Sequence, residues 1–104
     1  MRFEWDEKKD RLNQRKHGVS FELAALVFYD ERCVVRPDRI DSETGEPRWQ
    51  AIGAAWIGAM AEALLFVVHV YRKGTENGQE TIRIISARAA SKDDVRRYQE
   101  QEME

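Results

Sequence analysis

The chain has 104 residues, 42% of them hydrophobic, enough for one compact domain with one core and too few for two. Lysine and arginine number 17 against 19 acidic residues, a formal net charge of -2, so any attraction for a polyanion has to come from how the positive side chains are distributed. Cys33 is the only cysteine, which excludes an intrachain disulfide and a thiolate zinc cluster and suits a reducing, cytoplasmic setting.

In chain order, residues 2–5 suit a short edge strand. Residues 6–17 tolerate a helix, and Gly18 follows where a left-handed terminator is expected. Ser20 offers an N-cap to a second helix, in which Phe21, Ala24, Ala25 and Phe28 fall at i, i+3, i+4 and i+7 and form one buried stripe ending near Asp30. The grammar then changes. Residues 33–36 are short and β-branched, and Pro37 with the polar segment 38–47 predicts a strand running into a loop. Residues 48–57 and 63–72 are the next two strands, joined by a turn at 58–62. Residues 73–79, with Gly74, Asn77 and Gly78, make a hairpin loop before the last strand at 81–87. Ser91 caps a final helix with Asp93 and Asp94 in its first turn, Val95 and Tyr98 supply its apolar contact, and the acidic end 100–104 frays.

The expected fold is therefore α+β, with two N-terminal helices, a four-stranded antiparallel sheet and a C-terminal helix, and a short N-terminal edge strand as an optional addition. Residues 51–71 also have roughly the length of a bilayer span. Glu62 would sit mid-span at a cost of roughly 2.5 to 3.5 kcal/mol, and Gly53, Gly58 and the run from Leu65 to Val68 suit strands, so the segment reads as two strands and no membrane association is expected.

Four pieces in fixed order resemble the BrnT family: F-E-W-D at Phe3 to Asp6 with Lys9 and Asn13, K-H-G-V at Lys16 to Val19, A-A-L-V-F at Ala24 to Phe28, and R-I-I-S-A-R-A at Arg83 to Ala89 followed by Arg96, Arg97 and Tyr98. Together they cover nearly the whole chain. The resemblance implies a RelE-like fold and an RNA-cleaving toxin. It also implies a partner, a BrnA-like antitoxin with a ribbon-helix-helix DNA-binding domain, through which alone operator DNA is reached.

Cleaving RNA without a metal requires deprotonation of the 2'-hydroxyl, stabilisation of the phosphorane's extra charge, and protonation of the leaving 5'-oxygen. On the first helix Lys9, Asn13, Lys16 and His17 lie at i, i+4, i+7 and i+8 and share roughly one face. Lys9 and His17 are candidate catalytic residues there, and Asn13 and Lys16 candidate substrate contacts. His17 titrates near neutrality and suits acid or base work; its other reading is interaction with the carbonyls at the helix end. For the two lysines the alternative is simple solvation.

In the last strand, strict alternation puts Arg83 with Ile85 and Ala87 on one side and Ile82, Ile84 and Ser86 on the other. Arg83 then either pairs with a carboxylate such as Asp6 or Glu22, or lines an open sheet face where a phosphate completes the pairing. Arg88, at the strand end, is the leading candidate for transition-state stabilisation, because its planar guanidinium matches a phosphate bidentately. Arg97 and Tyr98 are further substrate contacts, Tyr98 having a packing role as its alternative.

Trp5, Trp49 and Trp56 read as core or interface, and His69 as a satisfied core histidine. Two distant histidines with no carboxylate cluster give no metal site, and no cofactor is expected. Two functions compete. One is a metal-independent endoribonuclease that cuts mRNA and halts translation, with cations from the opening helix and closing strand meeting over one scissile phosphodiester. The other, motivated by the near-neutral charge, is a non-catalytic module that binds the antitoxin and acts as co-repressor of its own operon.

Overall fold

The computed structural model describes residues 1–56, 62–73 and 78–101. In order these form β1 (Arg2–Glu4), α1 (Glu7–His17), α2 (Phe21–Ala25) continued by a 3-10 turn (Leu26–Tyr29), β2 (Val34–Ile40), β3 (Pro47–Trp56), β4 (Glu62–Lys73), β5 (Glu80–Ala89) and α3 (Lys92–Glu100). The strands make one sheet in the order β1-β5-β4-β3-β2, antiparallel except where β1 runs parallel to β5. The sheet is thus mixed and five-stranded, not a four-stranded antiparallel one. The N-terminal strand is held because Phe3 packs its ring 5.6 Å from Phe28 and 6.0 Å from Tyr29.

Helix boundaries follow from local chemistry. Asp6 caps α1 by accepting the N–H groups of Lys8 at 2.8 Å and Lys9 at 3.2 Å, and Gly18 ends it at φ 70°, where a side chain would be strained. The second helical stripe is divided. Its α-helical part stops at Ala25 and tightens into the 3-10 turn, which brings Val27 down onto β3. Gly53 permits that approach, since a Cβ there would lie 3.0 Å from both Cβ and the carbonyl oxygen of Val27.

β2 runs on to Ile40, through Pro37, where a loop was expected. Its place at the sheet edge explains this, because an edge strand has a side on which a missing N–H breaks no ladder. The connection contracts to residues 41–46, folded around Asp41, which accepts the N–H groups of Glu43 at 2.9 Å and Thr44 at 3.0 Å and pairs with Arg48 at 2.8 Å. The expected turn at 58–62 lies outside the described residues except for Glu62, the loop at 73–79 does so over 74–77, and the acidic end over 102–104. The apolar stretch 51–71 contributes to β3 and β4, and no helix among the described residues is long and apolar enough to cross a membrane.

One sheet face is covered by α1, α2 and the 3-10 turn, and the core lies between them: Phe21, Ala24 and Val27 meet Ala51, Ala55, Leu65, Val67, Ile84 and Ala87. Ile84 and Ala87 both belong to this core although they are three residues apart. Strict alternation forbids that. The β4–β5 register explains it: Val68 pairs with Ser86 and His69 with Ile84, so Ile85 is an extra residue that shifts the phase of the strand. The expected grouping of Arg83 with Ala87 is therefore incorrect. Beyond the bulge, Arg83 and Arg88 flank the inward pair Ile84 and Ala87 and project together from the opposite face.

Candidate active site

That second face is crossed by α3. Along β3 its residues are Gln50, Ile52 and Ala54, alternating with the core positions, and Ile52 is buried there outside the core cluster of the other face. α3 starts from a capping box: the Ser91 hydroxyl accepts the Asp94 N–H at 3.2 Å, and the Asp94 carboxylate accepts the Ser91 N–H at 2.8 Å. The same carboxylate, 2% exposed, pairs at 2.8 Å with Arg88 through one oxygen and at 2.8 Å with Arg97 through the other. Burial acts to raise the Asp94 pKa, but the Ser91 N–H and the Arg88 guanidinium outweigh it and hold the carboxyl below its ordinary value.

Two arginines on one carboxylate leave a local surplus of positive charge and unused N–H donors. Arg88 lies with its guanidinium carbon 4.0 Å from the centroid of the Phe66 ring, its cross-strand partner, which fixes the plane of the fork. Arg97 continues the network at 3.5 Å to the Gln50 side-chain oxygen, which also accepts from Arg36 Nε at 3.0 Å, while the Gln50 amide donates to Asp38 at 2.7 Å. Farther along the face Arg83 sits 3.6 Å from Glu4, a loose pair that Glu4 shares with Arg72, also at 3.6 Å. Of the two carboxylates, Glu4 is exposed enough to yield its place to another anion; Asp94 is not.

The sequence candidates divide between the two sides of the sheet. Arg83, Arg88 and Arg97 share the α3 side. Lys9, Lys16 and His17 are exposed on α1, which packs on the core side; the Asp6 carboxylate, whose pKa the Lys9 and Lys8 N–H groups lower, also feels the charges of both Lys9 and Arg83, so the start of the opening helix approaches the closing strand there. Asn13 separates the groups. It is buried, its amide donates at 2.8 Å to the carbonyls of Val19 and of Ala87, and it accepts the Ala87 N–H at 3.1 Å, so it clamps α1 to β5 and does not share the open face of the lysines.

Arg83 pairs with Glu4, and its charge also reaches Asp6, one of the two expected carboxylates. Tyr98 donates its hydroxyl at 2.6 Å to Asp30, whose same oxygen accepts the Ala54 N–H at 2.8 Å at the end of β3 that β2 does not cover. Burial and this bond both push the Tyr98 hydroxyl pKa up, and the phenol is committed to joining α3 to the sheet edge.

Asp94, Gln50, Arg36 and Phe66 were not among the sequence candidates. The S-x-x-D spacing of Ser91 and Asp94 and the i,i+3 placement of Asp94 and Arg97 signal a buried acid at a helix start; nothing local signals that β5 delivers Arg88 to the same carboxylate. His69 is buried as expected but is not satisfied. Its ring lies edge-on to Phe28 at 4.7 Å and to Tyr71 at 5.0 Å, and neither nitrogen has a hydrogen-bond partner of good geometry. Burial pushes its pKa down to about 4, weak help from the Val67 backbone offsetting only part of that.

These observations define a small α+β protein that presents braced arginines on one sheet face, an arrangement suited to holding anionic groups. Residues 5–94 match the model of the family described as the ribonuclease toxin BrnT of type II toxin–antitoxin systems, and the chain belongs to that family. No curated protein matches it.

Proposed function

We propose that this toxin is an endoribonuclease that cuts mRNA without a metal ion, on the α3 side of the sheet. The observation that carries the reading is the bracing of Arg88 between Asp94 and the Phe66 ring, with Arg97 on the same carboxylate. Guanidinium groups fixed before substrate arrives stabilise a phosphorane without reorganising, which is where preorganised charge contributes most to rate. Arg83 joins them by exchanging its loose contact with Glu4 for a phosphate oxygen. Arg88 and Arg97 stabilise the developing charge, and Arg83 positions the neighbouring phosphate, with Lys9 near it through their shared neighbour Asp6. The toxin acts in the cytoplasm, and a BrnA-like ribbon-helix-helix antitoxin neutralises it and carries the complex to operator DNA.

The competing reading, a non-catalytic co-repressor, is favoured by one observation: the arginines of the face have carboxylate partners already. Induced expression without antitoxin separates the two. Growth arrest, together with RNA cleavage that persists in excess chelator, is expected. Arg88→Lys should slow cleavage by about 10- to 100-fold, since an ammonium keeps the charge but loses the fork, while Lys16→Ala with His17→Ala stays within a few-fold of the parent. Cleavage that survives Arg83→Gln with Arg88→Lys, in protein shown to be folded, would overturn this site.

A further inference from the structure

The outer side of α1 carries an assembly that the arginine face does not use. Lys8, Arg11, Leu12 and Arg15 line a groove of about 330 Å³ on this helix. Leu12 is 60% exposed at its centre, among the more exposed large apolar side chains of the described residues. The three flanking cations are solvent-exposed. Over its eleven residues α1 holds five lysines and arginines against Glu7 and Asp10, a net of +3; the chain as a whole carries -2, so the remainder carries -5. Positive charge is therefore concentrated on one helix of an otherwise acidic molecule.

The helix is also a rigid mount. Asn13 ties its inner side to Val19 and Ala87, and the Asp10 carboxylate accepts the Phe21 N–H at 2.8 Å. A leucine on such a mount, ringed by cations, is the reverse image of an acidic amphipathic helix. An apolar side chain from the partner would cover Leu12 while carboxylates at neighbouring turns meet Lys8, Arg11 and Arg15. RNA matches the surface less well, since its phosphates would satisfy the cations but leave Leu12 uncovered, and no aromatic ring lines the groove to stack a base.

We infer that the Lys8, Arg11, Leu12 and Arg15 face of α1 is the docking surface for an acidic amphipathic helix of the antitoxin, on the side of the sheet away from the arginine face. This rests on the family's antitoxin partner, and it separates neutralisation from cleavage. An antitoxin seated here acts at a distance or by holding the toxin in a larger complex, and it does not plug the arginine face with this segment.

The test uses full-length toxin and the purified product of the antitoxin reading frame encoded beside it, with a labelled 20-nucleotide single-stranded RNA as the second probe. Leu12→Glu should weaken antitoxin binding at least 50-fold, and Arg11→Glu with Arg15→Glu at least tenfold with a flatter salt dependence. Both variants should keep the parent's melting temperature and its RNA cleavage rate measured without antitoxin. In cells, Leu12→Glu should arrest growth even when antitoxin is co-expressed. Antitoxin affinity within twofold of the parent for both variants overturns the proposal. So does a loss of RNA binding or cleavage in place of antitoxin binding, which would make the face an RNA surface. A parent protein that binds antitoxin through this face yet cuts no RNA would refute the proposed cleavage and leave the docking surface standing.

Discussion

Among the described residues the two faces of the sheet bury one carboxylate and one imidazole, Asp94 and His69, and they treat them in opposite ways. On the α3 side Asp94 is almost fully buried and keeps its charge, because two guanidinium groups and the Ser91 N–H converge on it. On the core side His69 is fully buried among rings and loses its charge, because nothing of good geometry reaches its nitrogens. A low-dielectric site enforces either full compensation or neutrality. The compensated face is therefore the one on which fixed charges persist below the surface.

The comparison is broken most severely at Asp94. Asp94→Ala removes a buried carboxylate from two arginines and undoes the α3 cap, and should destabilise by about 4 kcal/mol, toward the middle of the range for severing a buried pair because the arginines are partly exposed. Urea unfolding would measure it. A loss under 1 kcal/mol would mean that the two guanidinium groups are satisfied by water and are not braced.

Acid titration sharpens the contrast, since the two groups act in different windows. The His69 pKa falls from 6.5 in the unfolded chain to about 4 in the fold, so as the pH drops through that interval the unfolded state takes up the proton first and stability declines, by about 3 kcal/mol in total. His69→Leu should abolish this decline and leave the protein more stable at pH 5 than its parent. The Asp94 pKa lies below its ordinary 3.8, so its contribution is intact above that value and is lost only as the pH falls through the lowered one. Stability curves of the parent and His69→Leu should diverge as the pH falls from 6.5 to about 4 and run parallel on either side of that interval. Curves that coincide throughout would show that His69 titrates in the fold as it does in the unfolded chain.

The smallest of these effects belongs to the clamp between the faces. Asn13→Ala strands the N–H of Ala87 and two buried carbonyls, and should cost about 2 kcal/mol. Because the clamp holds α1 and not the arginines, hydrogen exchange at residues 7–17 should quicken while RNA cleavage, where the protein remains folded, stays near the parent's.

Much of this architecture was legible in the chain. Gly18, Ser20 and Ser91 mark helix ends through chemistry that acts within three residues, and each does so in the structure, where Asp6 proves to be the cap of α1 and not its first residue. What local pattern did not carry was phase and side. The extra residue at Ile85 is invisible in an unbroken run of strand formers, yet it decides that Arg83 and Arg88 share a face. Asn13 read as a substrate contact on the polar face of α1, and only the docking of α1 on β5 makes it a buried clamp. Pro37 suggested a strand end because edge position is a property of the whole sheet and not of the segment. Asp94 was visible as a first-turn acid, while its pairing with Arg88 depends on where β5 hands the chain to α3.

The bulge also sets what kind of change the molecule tolerates over evolutionary time. Removing one residue between Ile84 and Ala87 would restore regular alternation and turn the guanidinium of Arg88 toward Phe21 and the alanine beside it toward solvent. That segment can thus exchange residue types but is closed to insertions and deletions. The exposed turn around Asp41 faces no such prohibition, so length variation among relatives should collect there and spare the strand that aims the arginines.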